Sequence, residues 1–185
     1  FFLKAAMLST TRFVREILIA LPSPPADLYL LHQQVWEHVR RAVAPGQRPS
    51  FLYRVDDGLV RVRSTDFARG RTQALSDGPC SLDLPAVIQE ARGGERAVDP
   101  GDLLVWTKAK LKRSGLRPER LRIVSYGLQR GNKIDRATGY HHRITLPVVR
   151  VSFDLEVEDE ALANVAWIEG IGRGRRFGLG MLCRA

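Results

Sequence analysis

Apolar and polar residues in the first third of the chain follow a pattern that predicts a strand, a helix and a hairpin. Residues 15–21 form an apolar run ended by a proline, which is typical of a short buried strand. Residues 28–43 carry one apolar stripe at helical spacing, and Asp27 before them is a good N-cap. Residues 50–55 and 59–64 are β-like, and the Asp-Asp-Gly between them favours a tight hairpin.

The following segment completes a recognisable order of elements. Residues 82–91 predict a short helix ended by a glycine pair, and residues 102–107 predict a strand. The order from residue 14 to residue 107 is then β-α-β-β-α-β, which indicates a ferredoxin-like unit. Such a unit has a four-stranded antiparallel sheet with both helices on one face.

The second half predicts fewer elements. Residues 121–128 and 143–157 are strand-like, and residues 129–139 between them form a loop with a basic tip, which indicates a protruding hairpin. Residues 157–169 predict a helix with two acids in its first turn, and residues 178–182 predict a terminal strand. The order β-β-α-β lacks a first helix, so this half would be an abbreviated unit of the same kind.

The charge of the chain favours a polyanionic partner. The 185 residues carry a formal net charge of +9, and 44% of them are hydrophobic, so a core and a basic surface can coexist. Nucleic acid is the first expectation and an anionic membrane the second, although a merely soluble basic protein remains an alternative. No apolar run approaches the roughly 20 residues that span a bilayer, and residues 1–13 lack the features of a signal peptide.

The cysteines and histidines do not indicate a metal site. Cys80 and Cys183 are far apart, there is no C-x-x-C, and the four histidines do not form a ligand-like cluster. We therefore expect no metal and no disulfide framework, which fits a reducing cytoplasm.

Residues 170–182 form the most distinctive stretch, which we call the glycine loop. It holds five glycines, three arginines and no acid. Glycines let a ligand approach the main chain closely, and arginines present planar forks suited to phosphates. The loop therefore predicts a site for a phosphodiester backbone, with a glycine-rich turn that caps a small domain as the alternative.

The glycine loop resembles the C-terminal loop of the CRISPR-associated repeat endoribonucleases of the CasE kind. A second resemblance lies at residues 27–36 (DLYLLHQQVW), where nine of ten positions follow the run that opens the first helix in that family. The middle of the chain matches only in element order and basic character. The positions of the loop that match are Gly170, Ile171, Gly172, Phe177, Gly178, Gly180, Met181 and Leu182.

The resemblance implies a fold and an activity. The fold would be α+β, with two tandem ferredoxin-like (RRM-like) units, residues 14–107 and an abbreviated 108–185, and a C-terminal glycine-rich loop. The activity would be metal-independent and cofactor-free cleavage of CRISPR repeat RNA, through attack of a ribose 2′-hydroxyl on the adjacent phosphodiester. The protein would bind the precursor guide-RNA stem-loop and remain on it in a Cascade-like complex with other Cas proteins.

Two residues of the first helix are the candidates for chemistry. His32 and Tyr29 lie on one edge of the apolar stripe, and histidine exchanges protons near neutral pH. A histidine on such an edge is usually structural, but the resemblance favours His32 as the proton-transfer group, with Tyr29 orienting the nucleophile. Glu37 stands near the position where some family members carry a basic residue. The electrostatic helper is therefore open, with Lys108, Lys110 or an arginine of the loop as candidates.

Three groups of residues are candidates for RNA contact, although most single charges are simply solvated. Lysines at every second position from 108 to 112 would share one face of a continuing strand. The hairpin tip and the glycine loop supply the other two groups. The full set is Lys108, Lys110, Lys112, Arg113, Arg130, Lys133, Arg136, Gly172, Arg173, Gly174, Arg175 and Arg176.

Two other functions remain open. The same fold could hold the RNA hairpin as a structural subunit with little or no turnover. An unrelated RRM-like protein is disfavoured, because residues 50–64 lack the aromatic-rich pattern with which such domains stack bases.

Overall fold

The computed structural model describes residues 14–91, 93–134 and 138–184. Within them the chain forms two four-stranded antiparallel sheets, a two-stranded ribbon and three α-helices. The α+β class predicted from the sequence is confirmed. No helix among these residues is long and apolar enough to cross a membrane.

The first sheet confirms the strand, helix and hairpin predicted for the start of the chain. Its strand order is β2-β3-β1-β4, and α1 packs on one face. Leu31, Val35 and Val39 of the helix form a buried cluster with Val60 and Val62 of the sheet. The elements are β1 (Val14–Ala20), α1 (Leu28–Arg41), β2 (Leu52–Asp56), β3 (Leu59–Ser64) and β4 (Arg71–Gln73).

The second sheet has the order β10-β5-β9-β8 and carries the larger buried cluster with both remaining helices. Its strands β8 and β9 form the long hairpin that the sequence predicts, and they extend further toward the tip than predicted. The elements are β5 (Gly78–Pro85), β6 (Val87–Gln89), β7 (Glu95–Ala97), α2 (Leu103–Lys112), β8 (Leu116–Ile134), β9 (His141–Val157), α3 (Glu160–Glu169) and β10 (Cys183–Arg184).

Three predicted elements have the wrong type. Residues 82–91 are not a helix, because Leu82 and Leu84 follow the period of two of strand β5, which lies between β9 and β10. Residues 102–107 are not a strand but the start of α2, which buries Leu103 and Leu111 at helical spacing. The predicted strand at residues 178–182 is also wrong, since regular pairing begins only at Cys183.

The chain leaves the first sheet after Gln73 and enters the second at Gly78. The division into domains at residue 107 stays a prediction. The crossing between the sheets favours a boundary between Gln73 and Gly78 instead. Arg54 of β2 also connects the two sheets, since its Nη1 donates to Oγ of Ser81 in β5 over 2.7 Å. The glycine loop follows α3 and returns to the first sheet, where it reaches the candidate site.

Candidate active site

The carboxylate of Asp27 fixes the start of α1. Its Oδ1 accepts hydrogen bonds from the backbone N–H groups of Tyr29, over 2.9 Å, and of Leu30, over 3.1 Å. This confirms the predicted N-cap. Its Oδ2 accepts the N–H of Asn132 over 2.7 Å, so the same side chain also fastens β8 to the helix.

Tyr29 lies where the helix, the hairpin and the glycine loop meet. Its ring contacts Phe177 edge to face, with 5.2 Å between the ring centroids. Gly131 of β8 approaches so closely that a Cβ there would lie 3.0 Å from Tyr29 Cδ2. The half-buried phenol is therefore oriented by two elements from outside its own helix.

His32 belongs to a group of four rings, which we call the aromatic cluster. The imidazole lies nearly parallel to Phe51 at 6.1 Å between centroids, with Tyr53 at 6.1 Å and Trp36 at 6.5 Å. Its Nδ1 is enclosed and has no hydrogen-bond partner among the described residues. Burial lowers the pKa of His32, and the positive charge of Arg176 lowers it further. The imidazole is therefore neutral at neutral pH and can accept a proton.

The glycine loop is held against this cluster by Tyr53. Burial raises the pKa of Tyr53, so the phenol stays protonated, and its hydroxyl donates to the carbonyl of Arg176 over 2.9 Å. Gly178 has a φ of +77°, and a Cβ on it would lie 2.8 Å from Tyr53 Cε2. A glycine is thus required here to seat the loop on the protein, whatever ligand the loop contacts.

The three arginines of the glycine loop have different surroundings. Arg173 contacts Glu95 and Gln89, and Arg175 donates to the carbonyl of Glu169 over 2.8 Å. Arg176 is exposed and forms no ion pair with any described residue. It is also the arginine whose charge acts on His32.

The predicted single face of lysines is wrong, because residues 108–112 belong to helix α2. Lys108 and Lys112 are one turn apart and exposed. Lys110 is half-buried on another side, with its Nζ 4.9 Å from the ring centroid of Trp106 and its Cε against Gly172. Burial lowers the pKa of Lys110, and the charges of Arg113 and Arg173 lower it further.

The hairpin brings one predicted contact residue beside Tyr29. Arg130 is exposed and its backbone pairs with Asp27. It lines a cavity of about 560 Å³ between the start of α1, the hairpin and the loop residue Phe177. Lys133 is exposed nearer the tip, and Arg136 lies outside the described residues.

Sequence reasoning missed Phe51 and Tyr53. One signal was present, since the two aromatics stand at alternate positions and therefore share a face of β2 or its extension. That this face meets His32 depends on how α1 crosses the sheet. No group of three or more His, Cys, Asp or Glu side chains suited to a metal ion occurs in the described ranges.

The second half of the chain matches a known protein family. The model of the family described as CRISPR associated protein matches residues 87–184, just over half of the chain. The chain belongs to this family. The resemblance first noted in the two terminal motifs is thereby confirmed for the family. The match contains the glycine loop and excludes the segment of Tyr29 and His32, so the roles of these two residues stay predictions.

Solved structures show the same fold in CRISPR endoribonucleases. Cse3 bound to a 19-nucleotide RNA is 22% identical, covers 94% of this chain and 98% of its own, and superposes with a TM-score of 0.67. Thermus thermophilus Cse3 bound to an RNA representing a pre-cleavage complex is 21% identical, with coverages of 94% and 98% and a TM-score of 0.65.

A third structure extends the likeness to another organism. Cas6e from Escherichia coli K-12 is 17% identical, with coverages of 92% and 97% and a TM-score of 0.61. These likenesses bear out the predicted tandem ferredoxin-like fold. No curated protein sequence matches the chain significantly.

Proposed function

We propose that this CRISPR-associated protein is a repeat-specific endoribonuclease that cleaves precursor guide RNA without a metal ion. The observation that carries the proposal is the position of His32, a half-buried imidazole kept neutral beside the exposed cation of Arg176. An RNA phosphodiester with a neighbouring 2′-hydroxyl needs a proton acceptor and a positive charge, and this site offers both.

The reaction is an intramolecular transesterification. The 2′-oxygen forms a bond to phosphorus while the bond from phosphorus to the 5′-oxygen breaks, which leaves a 2′,3′-cyclic phosphate and a 5′-hydroxyl. His32 takes the proton of the 2′-hydroxyl, and the 5′-oxygen receives a proton from the imidazolium or from water. Because Nδ1 is enclosed, Nε2 exchanges the proton.

Arg176 and Tyr29 complete the site. Arg176 fills the role of electrostatic helper, since its charge acts on His32 and its guanidinium forms no ion pair with a described residue. It stabilises the negative charge that builds up on the phosphorane oxygens. Tyr29, held between Gly131 and Phe177, donates a hydrogen bond that orients the nucleophile.

The RNA would approach along the basic elements that surround this site. Arg130 of the hairpin and Phe177 of the glycine loop adjoin the start of α1. Lys133 is exposed further toward the hairpin tip, and Lys108 and Lys112 are exposed on α2. The stem of a repeat hairpin presents mainly backbone and shape, which suits such a surface. Cse3 has been solved with RNA, and a relative of the same fold in an RNA-guided surveillance complex. We infer that this chain likewise keeps the processed RNA as a subunit beside other Cas proteins in the cytoplasm.

Cleavage of the cognate repeat RNA in EDTA tests the proposal. The unmutated protein is compared with His32→Ala, and the natural RNA with one that carries a 2′-deoxy ribose just upstream of the cut. We expect cleavage in EDTA, loss of about 10²- to 10⁴-fold in rate for His32→Ala, and no cleavage of the deoxy RNA. RNA binding should persist in both cases.

Two outcomes would contradict the proposal. Tight binding without cleavage by the unmutated protein would indicate the alternative function, a hairpin-binding subunit without turnover. Full cleavage by His32→Ala would remove the imidazole from the mechanism. His38→Ala is the matched control, because His38 is exposed on the same helix and outside the aromatic cluster.

A further inference from the structure

A second basic site lies on the face of the first sheet that is turned away from α1. It is a cavity of about 490 Å³ between the two sheets, which we call the arginine cavity. Four arginines and one carboxylate line it, so positive charges outnumber negative charges by three. Its lining residues are Glu16, Arg61, Arg63, Arg71, Gln73, Trp167 and Arg184.

Strand register creates this cavity. Glu16 of β1 is the direct partner of Arg63 on β3 and of Arg71 on β4, so these three side chains share one face. Arg61 lies on the same face because it is two residues from Arg63. Arg184 comes from β10 of the second sheet and completes the lining of the cavity.

Arg63 is a structural member of the site. Its Nε and Nη2 donate to Glu16 Oε1 over 2.8 and 2.6 Å, and its other hydrogen bonds go to the carbonyls of Trp167 and Leu182. Glu16 is 7% exposed and Arg63 1% exposed. This buried pair neutralises itself and fixes the floor of the cavity.

The remaining arginines are not neutralised. Arg61 makes only a long ion pair, with its Nη1 3.9 Å from Glu16 Oε2, and Glu16 already accepts two hydrogen bonds from Arg63 through Oε1. Arg71 and Arg184 are exposed and form no ion pair with a described residue. Two N–H groups of lining residues, Arg61 Nε and Trp167 Nε1, also have no hydrogen-bond partner among the described residues. Cations and unpaired donors gathered in one cavity call for an anion that accepts several hydrogen bonds.

We propose that the arginine cavity is a second anion site that binds a phosphate group. Guanidinium forks converging from β3, β4 and β10 suit a tetrahedral anion with several acceptor oxygens. A single carboxylate would balance only one of the three surplus charges. The phosphate can belong to a free nucleotide or to a strand of RNA, and the sheet separates it from His32, which lies on the α1 face.

The test compares two double variants of the full chain. Arg71→Gln/Arg184→Gln removes the two exposed forks and leaves the buried pair intact. Arg96→Gln/Arg117→Gln is the matched control, because it removes the same charge from residues that are 55% and 54% exposed and lie outside the cavity. Arg71→Lys/Arg184→Lys keeps the charge and removes the forks. Circular dichroism confirms that each variant is folded.

The probes distinguish the two sources of phosphate. In the first arm, inorganic phosphate is added at constant ionic strength and the melting temperature is recorded. In the second, binding is measured for the repeat stem-loop and for the same stem-loop with single-stranded extensions. A free-nucleotide site predicts stabilisation by phosphate in the unmutated protein and the control, which the Gln variant loses.

An RNA site predicts that the Gln variant binds extended RNA roughly tenfold or more weakly than the control does. Its dependence on salt should fall by about 0.7 for each lost phosphate contact. The bare stem-loop should be bound and cleaved equally by both variants, so failure here is distinct from failure of the His32 mechanism. The proposal is overturned if the Gln variant matches the control in both arms, or if an acidic peptide stabilises the unmutated protein where phosphate does not.

Discussion

The two faces of the first sheet are both covered, but by different chemistry. On one face Val60 and Val62 pack under α1 in an apolar cluster, with His32 at its edge. On the other face the intervening residues Arg61 and Arg63 contact Glu16, and Arg63 also donates to the carbonyls of Trp167 and Leu182. One strand of six residues therefore supports a half-buried neutral imidazole on one side and a charged cavity on the other.

The end of the chain connects these two faces. Tyr53 donates to the carbonyl of Arg176 on the α1 face, and Arg63 donates to the carbonyl of Leu182 on the other. Between them, Leu52 packs with Met181 and Cys183. Backbone carbonyls of one short segment thus fix a side chain on each face, so a change at the chain end affects both sites.

The largest expected effect comes from breaking the charged face at Arg63. Arg63→Met leaves the buried Glu16 carboxylate without its hydrogen-bonding partner, with only Arg61 at 3.9 Å, and removes the donor of two backbone carbonyls. Removing one partner of a buried ion pair typically costs about 3–5 kcal/mol. We expect a loss of this size in the free energy of unfolding, measured with urea. Arg71→Gln, an exposed neighbour on the same face, should change it by less than about 0.5 kcal/mol.

The double variant Glu16→Gln/Arg63→Met sharpens the test. Because it removes the buried charge that has lost its hydrogen-bonding partner, it should be more stable than Arg63→Met alone. Equal stability of the two would mean that the lost carbonyl hydrogen bonds, rather than the buried carboxylate, determine the cost.

The next effect concerns the apolar face and the seating of the glycine loop. Gly178→Ala forces a side chain into a positive φ and into the ring of Tyr53, 2.8 Å from the new Cβ. Gly46 is the matched control, since its φ is +82° and nothing lies within 4 Å of a Cβ there. Both substitutions should lower the free energy of unfolding by about 1–2 kcal/mol, because a side chain is strained at a positive φ. At Gly178 alone, the clash with Tyr53 should lower it by about 1–3 kcal/mol more.

RNA cleavage gives a second measure of the same pair. Displacing the loop moves Arg176 away from His32, so Gly178→Ala should also slow cleavage, whereas Gly46→Ala should leave it unchanged. A Gly178→Ala protein that is as stable and as active as Gly46→Ala would show that the loop does not need its close approach to Tyr53.

Local signals in the sequence were enough for the first part of the fold. The Asp27 cap, helix α1 and the hairpin of β2 and β3 each depend on a few neighbouring residues, and all three were predicted. The types of residues 82–91 and 102–107 were interchanged. Each window is too short to separate a period of two from one of 3.6, and Thr107 and Leu111, which complete the buried face of α2, lie at or beyond its end.

The candidate sites show the same contrast between local sequence signals and contacts between distant residues. His32 and Tyr29 could be proposed from the sequence because one short motif resembles a known family. The aromatic cluster and the arginine cavity were not found, because each joins elements that are distant in sequence. Tyr53 meets Arg176 across 123 positions, and Arg63 meets Leu182 across 119. Only the packing of the two sheets brings such residues together.

The smallest effect is electrostatic and concerns the pH at which the cleavage rate inflects, apart from the rate that Arg176 contributes by stabilising the phosphorane. His32 must be neutral to accept a proton, so the single-turnover rate should rise with pH through the pKa of His32 and then level off. Arg176→Gln removes a positive charge that lowers this pKa, so the inflection should move to higher pH. NMR titration of the His32 ring should move in the same direction. Arg173→Gln, whose charge is paired with Glu95, is the control and should shift neither curve. An unchanged His32 titration in Arg176→Gln would show that burial alone keeps the imidazole neutral. The glycine loop would then have no part in setting the protonation state of His32.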